Sequence, residues 1–259
     1  MAIGSQGKPS HLTRIAFGVG GIADGVKNNG FDYFLLFYYS QVLGVSASLV
    51  AAALFIALIV DAISDPVVGY WSDNFRTRLG RRHPFMYASM VPVAIAYFFA
   101  WNPPAGMEGN DLFGWLVALT ICVRLLFTIY EVPQNALAAE LTSDYDARTS
   151  LMSYRYFFAW VGGLSIQIAL LALLLRPTEA DPSGFFNKDG WHTYGLWAAI
   201  VIFLAVLATT AGTHSHIPHL KSPPPQRKLT VGRIFKEILE TVSNPSFRAL
   251  FLATLFGLL

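Results

Sequence analysis

Six mostly apolar stretches follow one another along the chain, and they constrain its fold more than any other feature. They cover residues 15–42, 47–71, 85–101, 112–139, 151–175 and 191–211. A helix of about 20 such residues crosses the hydrocarbon core of a bilayer. Because a helix satisfies its own backbone hydrogen bonds in lipid, we expect six transmembrane helices and an all-α membrane protein.

The composition supports a membrane protein and argues against other classes. Hydrophobic residues make up 54% of the chain and charged residues only 13%, whereas soluble domains contain about 25% charged residues. The 18 Lys and Arg nearly balance the 16 Asp and Glu, so no basic surface for nucleic acid is expected. The single cysteine, Cys122, can form neither an internal disulfide nor a cysteine-based metal site. We expect no nucleic-acid partner and no resident cofactor.

The distribution of Lys and Arg predicts the orientation, because short cytoplasmic loops carry an excess of both residues. The loops on one side of the predicted helices contain Lys8, Arg14, Arg76, Arg78, Arg81, Arg82, Arg148, Lys221, Arg227, Lys228, Arg233, Lys236 and Arg248. The other side has only Arg176 and Lys188. We predict an integral protein of the cytoplasmic (inner) membrane, with the N-terminus and the linker after the sixth helix in the cytoplasm.

Three segments are expected along the chain. Residues 1–212 form the six-helix bundle, and residues 213–245 form a cytoplasmic linker. In this linker a run of three prolines at 223–225 is followed by apolar residues at helical spacing, which is typical of an amphipathic helix on a membrane surface. Residues 246–259 are the start of a seventh helix, too short to cross a bilayer. We expect an N-terminal half that lacks its C-terminal six-helix half.

Ionisable side chains inside the predicted helices are the best guide to function, because a charge at membrane depth is costly and usually functional. They are Asp24, Lys27, Asp32, Asp61, Asp65, Arg124, Glu131 and Arg155. Asp61 and Asp65 project from one face of the second helix. Two close carboxylates in a low dielectric need a nearby cation or a shared proton. The pair predicts a site for a coupling ion, H⁺ or Na⁺. Alternatively, Asp65 is only a turn residue before Pro66.

Polar residues on the other helices predict a substrate site. Arg124, Thr128, Glu131 and Asn135 form one stripe on the fourth helix, which must face the bundle interior. Arg155 in the fifth helix offers a planar fork for hydroxyls or carboxylates, or a simple partner for Glu131. Asp24, Asn28 and Asp32 share a polar face of the first helix, and Lys27 borders it. Alternatively, Asp24 and Lys27 only neutralise each other. We assign six residues to substrate binding: Asp24, Lys27, Arg124, Glu131, Asn135 and Arg155.

Two adjacent motifs carry a family resemblance. The sequence DAISDPVVGYWSD at 61–73 is followed by RTRLGRRHP at 76–84. Together they resemble the glycoside-pentoside-hexuronide:cation symporters, the family of the melibiose permease, within the major facilitator superfamily. The resemblance extends through FYY at 37–39, EVP at 131–133 and residues 148–158. It implies the six-helix N-terminal half of a secondary transporter that couples a cation to a sugar, a glycoside or a hexuronate.

The resemblance also implies roles for individual residues. Asp61, Asp65 and Thr128 match cation-binding positions, and Glu131 and Arg155 match sugar-binding positions, with Glu where Asp is usual. Two positions differ from the melibiose permease. Its sugar-binding acid in the first helix aligns with Gly25, next to Asp24, and its aromatic residue in the fourth helix is replaced by Asn135. A galactoside is therefore less secure as substrate than the broader class.

Asp73, Arg81 and Arg82 lie where the second and third helices meet the cytoplasm. An acid and two bases at such a point can lock one conformation through a charge network, so we predict a conformational gate. The alternative is that the arginines only fix the topology.

Two other functions compete with the transporter. Asp61-x-x-x-Asp65 also resembles part of the Asp-rich motif of membrane prenyltransferases, whose carboxylates hold Mg²⁺ on a diphosphate. Such an enzyme needs a second Asp-rich motif on a facing helix, and the only other close pair, Asp144 and Asp146, lies in a loop. The third hypothesis is an inactive truncated product. We predict a transporter and not an enzyme, with a solute, a coupling cation and the lipid bilayer as partners.

Overall fold

The computed structural model of the chain describes residues 9–177, 179, 181–220, 243–249 and 252. The chain divides into two units, Met1–Ser222 and Pro223–Leu259. In the second unit, residues 245–249 are helical. The predicted amphipathic helix of the linker and most of the predicted seventh helix lie outside the described residues. Within the described ranges the regular elements are all helices, as expected for an all-α membrane protein.

The described part of the first unit contains seven α-helices, numbered here in chain order. They are α1 His11–Val19, α2 Gly21–Asn29, α3 Ala47–Asn74, α4 His83–Trp101, α5 Gly109–Leu141, α6 Tyr145–Ala169 and α7 Lys188–His214. A π-helical segment, Leu170–Leu174, extends α6. Five helices in the described part are long and apolar enough to cross a membrane, namely α3, α4, α5, α6 with its extension, and α7. They coincide with the second to sixth predicted spans.

The first predicted span consists of shorter helical pieces. Gly20 joins α1 to α2 with right-handed helical angles, φ −57° and ψ −29°. The π-helical segments Gly30–Leu35 and Tyr38–Val42 then continue the helical path. Helical backbone therefore extends from His11 to Val42, with wider turns in its second half. Such π-helical turns are frequent at functional sites.

Side chains at the helix starts explain several of the boundaries. Ser10 accepts a hydrogen bond from the backbone N–H of Thr13 at 3.1 Å. Asp144 accepts one from the N–H of Ala147 at 2.7 Å and so begins α6. Each satisfies an N–H that has no partner within the helix. Gly80, with φ +76°, makes the tight turn between α3 and α4 that the sequence RLGRR requires.

Glycines let α2 lie unusually close to α6. A Cβ on Gly25 would overlap the carbonyl oxygen of Ala159, and a Cβ on Gly163 would lie 2.9 Å from the carbonyl oxygen of Gly25. No side chain fits between the two backbones at these points. The contact places Asp24 of α2 against Arg155 of α6.

The two ends of the bundle differ in chemistry. At one end Tyr38, Trp101, Trp191 and Tyr194 are fully buried, and the rings of Trp101 and Trp191 stack at 5.8 Å. Aromatic side chains of this kind are common at membrane interfaces. The loop from α3 to α4, which contains four arginines, lies at the other end. This separation agrees with the predicted asymmetry of basic loops.

The helix α3 is the least covered span. Phe55, Ile63 and Val67 are each more than half exposed, while Ser64 on the opposite face is buried against α5. Both acids of the predicted coupling-ion site, Asp61 and Asp65, therefore lie near the contact between α3 and α5.

Candidate functional site

The residues predicted to bind a cation lie together between α3 and α5. Thr128 Oγ1 donates a hydrogen bond to Asp65 Oδ1 at 2.9 Å. Buried Ser64 Oγ donates to Thr128 Oγ1 at 3.5 Å and to the carbonyl oxygen of Asp61 at 3.3 Å. Asp61, Asp65 and Thr128 thus contribute oxygen atoms to one region. Oxygen atoms are the ligands that hard cations such as Na⁺ prefer.

An arginine completes this region. Arg124 Nη1 donates to Asp61 Oδ2 in an ion pair. Arg124 is predicted from the sequence to bind substrate, but its charged partner in the structure is Asp61, an acid of the predicted cation site. Asp65 is exposed and, within the described part of the chain, forms no ion pair.

A second charged cluster connects α2, α5 and α6. Arg155 Nη2 pairs with Asp24 and lies 3.4 Å from Glu131 Oε1. Lys27 Nζ lies 3.9 Å from Glu131 Oε2, and its ammonium group is 4.8 Å from the ring centre of Phe127. Four of the six residues predicted to bind substrate therefore meet in one place.

Accessibility differs within this second cluster. Arg155 and Asp24 have side chains only 5% and 6% exposed, whereas Glu131 is 33% exposed. Asp24 Oδ1 is buried and has no hydrogen-bond partner among the described residues. A buried acceptor without a partner is costly, so a donor from a bound molecule would stabilise it.

The charges of the two clusters do not cancel. The carboxylates of Asp24, Asp61, Asp65 and Glu131 face the cationic groups of Lys27, Arg124 and Arg155. One negative charge remains, and Asp65 is the acid without a cationic partner in the described part. The site therefore has the charge to hold one monovalent cation.

Two other polar residues of the predicted helices take no part in these ion pairs. Asn135 Oδ1 is buried without a hydrogen-bond partner in the described residues, and its side chain takes no part in the ion pairs. Asp32 is exposed in the π-helical segment Gly30–Leu35. In the described part of the chain, neither side chain forms a hydrogen bond or an ion pair with Arg155 or Asp61.

The predicted gate forms a charge network at the arginine-rich end. Arg82 pairs with Asp73, and its Nη1 donates to Ser72 Oγ at 2.7 Å. Glu140, at the end of α5, accepts hydrogen bonds from Nε of both Arg81 and Arg82 at 2.8 Å. The network joins α3, α5 and the start of α4.

Two residues of these networks, Glu140 and Gln134, were not predicted from the sequence. Glu140 lies one residue beyond the predicted end of the fourth span, yet it is an acid on the same side of the membrane as Arg81 and Arg82, which was the available signal. Gln134 lies beside Asn135 in the polar stripe. It accepts a hydrogen bond from Arg155 Nε at 2.7 Å and donates to the carbonyl of Phe17 at 3.1 Å.

Together the fold and the site define a class of protein. Paired charges within a helical bundle, on membrane-spanning segments, with one carboxylate left accessible, are typical of secondary membrane transporters. The family model described as MFS/sugar transport protein matches residues 16–259. The chain belongs to this family of the major facilitator superfamily, and it is not a prenyltransferase. The resemblance to glycoside and cation symporters is confirmed.

Similar proteins are found in bacteria and animals. An uncharacterized symporter of Synechocystis sp. is 34% identical over 72% of this chain and 35% of its own length. The isoprimeverose transporter of Lactiplantibacillus pentosus is 28% identical over 74% of this chain and 40% of its own length. The sodium-dependent lysophosphatidylcholine symporter 1 of Mus musculus is 29% identical over 76% of this chain and 41% of its own length. The chain spans less than half the length of these relatives.

Proposed function

We propose that this chain is the N-terminal half of a symporter that couples one cation to the uptake of a sugar, a glycoside or a related solute. The observation that carries the proposal is Asp65. It is the one carboxylate of the two clusters without a cationic partner in the described residues, and Thr128 Oγ1 contacts it at 2.9 Å. An accessible, uncompensated acid at membrane depth is a site for a coupling ion.

The cation site comprises Asp61, Asp65 and Thr128. A sodium ion takes oxygen ligands from these side chains, and a proton binds to one of the two carboxylates. Either ion brings the charge of the two clusters to zero. Neutralisation lowers the cost of moving the site between its two accessible states in a low dielectric.

The solute site comprises Asp24, Lys27, Glu131 and Arg155, with Arg124 and Asn135 at its edge. The bond from Arg155 Nη2 to Glu131 Oε1 is long, at 3.4 Å, and Glu131 is partly exposed. Hydroxyl groups of a sugar donate to Glu131 and accept from Arg155, and each such charge-assisted bond stabilises binding by about 1.5–3 kcal/mol.

One helix connects the two sites. Thr128 and Glu131 are three residues apart on α5 and so lie on the same face. An ion that orders Thr128 and Asp65 therefore also fixes the position of Glu131. By linkage, solute and ion raise each other's affinity by the same factor. The corresponding coupling free energy is typically about 1–3 kcal/mol.

Transport proceeds by rocking of this half against a second half around the central site. The protein lies in the inner membrane, with its N-terminus and the loop from α3 to α4 on the cytoplasmic side. The network of Asp73, Arg81, Arg82 and Glu140 stabilises one of the two states, because its ion pairs join the ends of three helices.

A zwitterionic lysolipid is the second candidate solute. The mouse relative is named for lysophosphatidylcholine, and the solute site contains both a guanidinium group and carboxylates. Arg155 suits a phosphate group, and Glu131 suits a quaternary ammonium group.

Uptake by the intact transporter in liposomes tests the proposal. Isoprimeverose, other glycosides and lysophosphatidylcholine are offered with a sodium gradient, with a proton gradient and with neither. We expect gradient-driven accumulation of a sugar or glycoside, and Asp65→Asn should abolish the gradient dependence while solute still binds. Asp111→Asn, at an exposed acid in the first turn of α5, is the matched control. Full gradient-driven uptake by the Asp65→Asn variant would contradict the cation site, and accumulation of the lysolipid alone would favour the second candidate.

A further inference from the structure

Arg124 occupies part of the proposed cation site, and this inference rests on the proposed function. We propose that Arg124 is a tethered cation that competes with the coupling ion for Asp61. In the ion-free state the guanidinium group neutralises Asp61. When an ion binds between Asp61 and Asp65, the guanidinium group leaves Asp61.

The contacts of Arg124 are those of a group that can be released. Its bond to Asp61 Oδ2 is the one hydrogen bond that its guanidinium group makes in the described part of the chain, and its Nε is buried without a partner there. Arg155 differs, because its guanidinium group makes three hydrogen bonds, to Gln134, Asp24 and Glu131. Arg155 is held from three sides, whereas Arg124 is held from one.

An aromatic ring lies beside the guanidinium group while it is paired with Asp61. The guanidinium carbon of Arg124 lies 5.9 Å from the ring centre of Phe31. A cation at this distance is attracted to the face of the ring. Phe31 itself is fixed, because it is buried and stacks on Tyr97 at 5.8 Å. Arg124 can therefore leave Asp61 without entering a purely apolar environment.

Electrostatics make the two cations alternatives. An ion beside Asp65 that approaches Asp61 while Arg124 is still paired meets a like charge at close range, in a medium that screens it poorly. Removal of the guanidinium charge leaves both carboxylates for the ion. Arg124 thereby sets the affinity for the coupling ion and compensates the negative charge of Asp61 when the ion is absent.

Sodium binding to the intact transporter, followed by calorimetry and by the sodium dependence of uptake, tests this role. Arg124→Gln should raise the affinity for sodium by roughly tenfold or more, because a competing positive charge is lost. Arg124→Lys keeps the charge and should stay close to the wild type. Arg148→Gln removes a charge from an exposed position at the start of α6 and should have no effect.

A reporter at Phe31 gives a second measurement that leaves Arg124 in place. In a Phe31→Trp variant, the indole emission should change when sodium binds, and it should not change when Asp65→Asn is added. A folded Arg124→Gln variant with unchanged or weaker sodium affinity, or a Phe31→Trp reporter insensitive to sodium, would overturn the proposal. If a proton is the coupling ion, the same variants are compared in proton-driven uptake. Absence of any ion dependence in the wild type contradicts the proposed function itself, and this inference falls with it.

Discussion

Glu140 and Asp73 are the two acids of the charge network at the arginine-rich end, and they differ in burial. Its side chain is 4% exposed and accepts hydrogen bonds from two arginines, of which Arg81 is 13% and Arg82 6% exposed. Asp73 binds the same Arg82, but its side chain is 48% exposed. Solvent screens an exposed pair and leaves a buried pair unscreened. The two acids of one network therefore differ in their importance for stability.

Glu140→Gln should destabilise the protein much more than Asp73→Asn. The first change leaves two arginines beside a neutral group and should cost about 3–5 kcal/mol of unfolding free energy, as loss of one partner of a buried pair does. The second removes a half-exposed partner and should cost about 1 kcal/mol or less. Thermal unfolding in detergent, followed by circular dichroism, measures both. Equal shifts in the two variants would show that burial of Glu140 does not decide its contribution.

At the scale of elements, the contact between α2 and α6 decides which charges meet. Gly25 and Gly163 face each other's helices with no space for a side chain. The helix-1 acid expected from the melibiose permease would stand at Gly25, where the backbone of Ala159 leaves no room. Asp24, one residue earlier, pairs with Arg155 instead. The packing of the glycines thus explains why the acid lies at position 24 in this chain.

Gly25→Ala should separate α2 from α6 and destabilise the bundle. The added methyl group overlaps a backbone oxygen that cannot move alone, and overpacking of this kind costs about 1–3 kcal/mol or more. Gly114→Ala in α5 is the matched control, because no atom lies within 4 Å of its Cβ position. There the change should be neutral or stabilise by about 0.5–1 kcal/mol. Melting temperatures of the two variants decide the matter, and similar values would contradict the tight packing of α2 on α6.

For the whole molecule, contacts between distant segments show which helix ends lie together. Arg81 and Arg82 bond to the end of α5, and His83 at the start of α4 shares a 3.1 Å hydrogen bond with Thr213 near the end of α7. The loops at this end are therefore those rich in arginine. The loop from α4 to α5 lies at the opposite, aromatic end.

Cysteine labelling in intact cells should reveal this sidedness. We expect a membrane-impermeant maleimide to label Ala105→Cys, in the exposed loop after α4, and not Ser143→Cys, in the exposed loop between α5 and α6. Both changes are made in a Cys122→Ala background, since Cys122 is the only native cysteine. Permeabilised cells provide the control, because both positions should then react. Labelling of Ser143→Cys but not of Ala105→Cys in intact cells would reverse the orientation.

Much of the fold follows from local sequence. The spans of α3 to α7 lie within a few residues of their predicted positions, because apolar length alone selects a membrane helix. The spacing of Asp61 and Asp65, and of Thr128 and Glu131, places each pair on one helical face wherever the helix lies. The motifs at 61–84 indicated the family. The local pattern did not reveal the π-helical turns after Asn29, since these depend on the packing of the first span.

Only the tertiary structure decided which charges are partners. Arg124 and Asp61 are 63 positions apart, and Arg155 and Asp24 are 131 apart, so no periodicity within one helix connects them. From the sequence, Glu131 was the alternative partner of Arg155, and the close approach of α2 to α6 gives Arg155 Asp24 as well. Arg124 lies on the polar stripe of α5, and its acidic partner, Asp61, is supplied by α3, which packs on α5. The sequence determined which faces are polar because helix geometry is local, whereas the pairing of faces depends on contacts between helices distant in the chain.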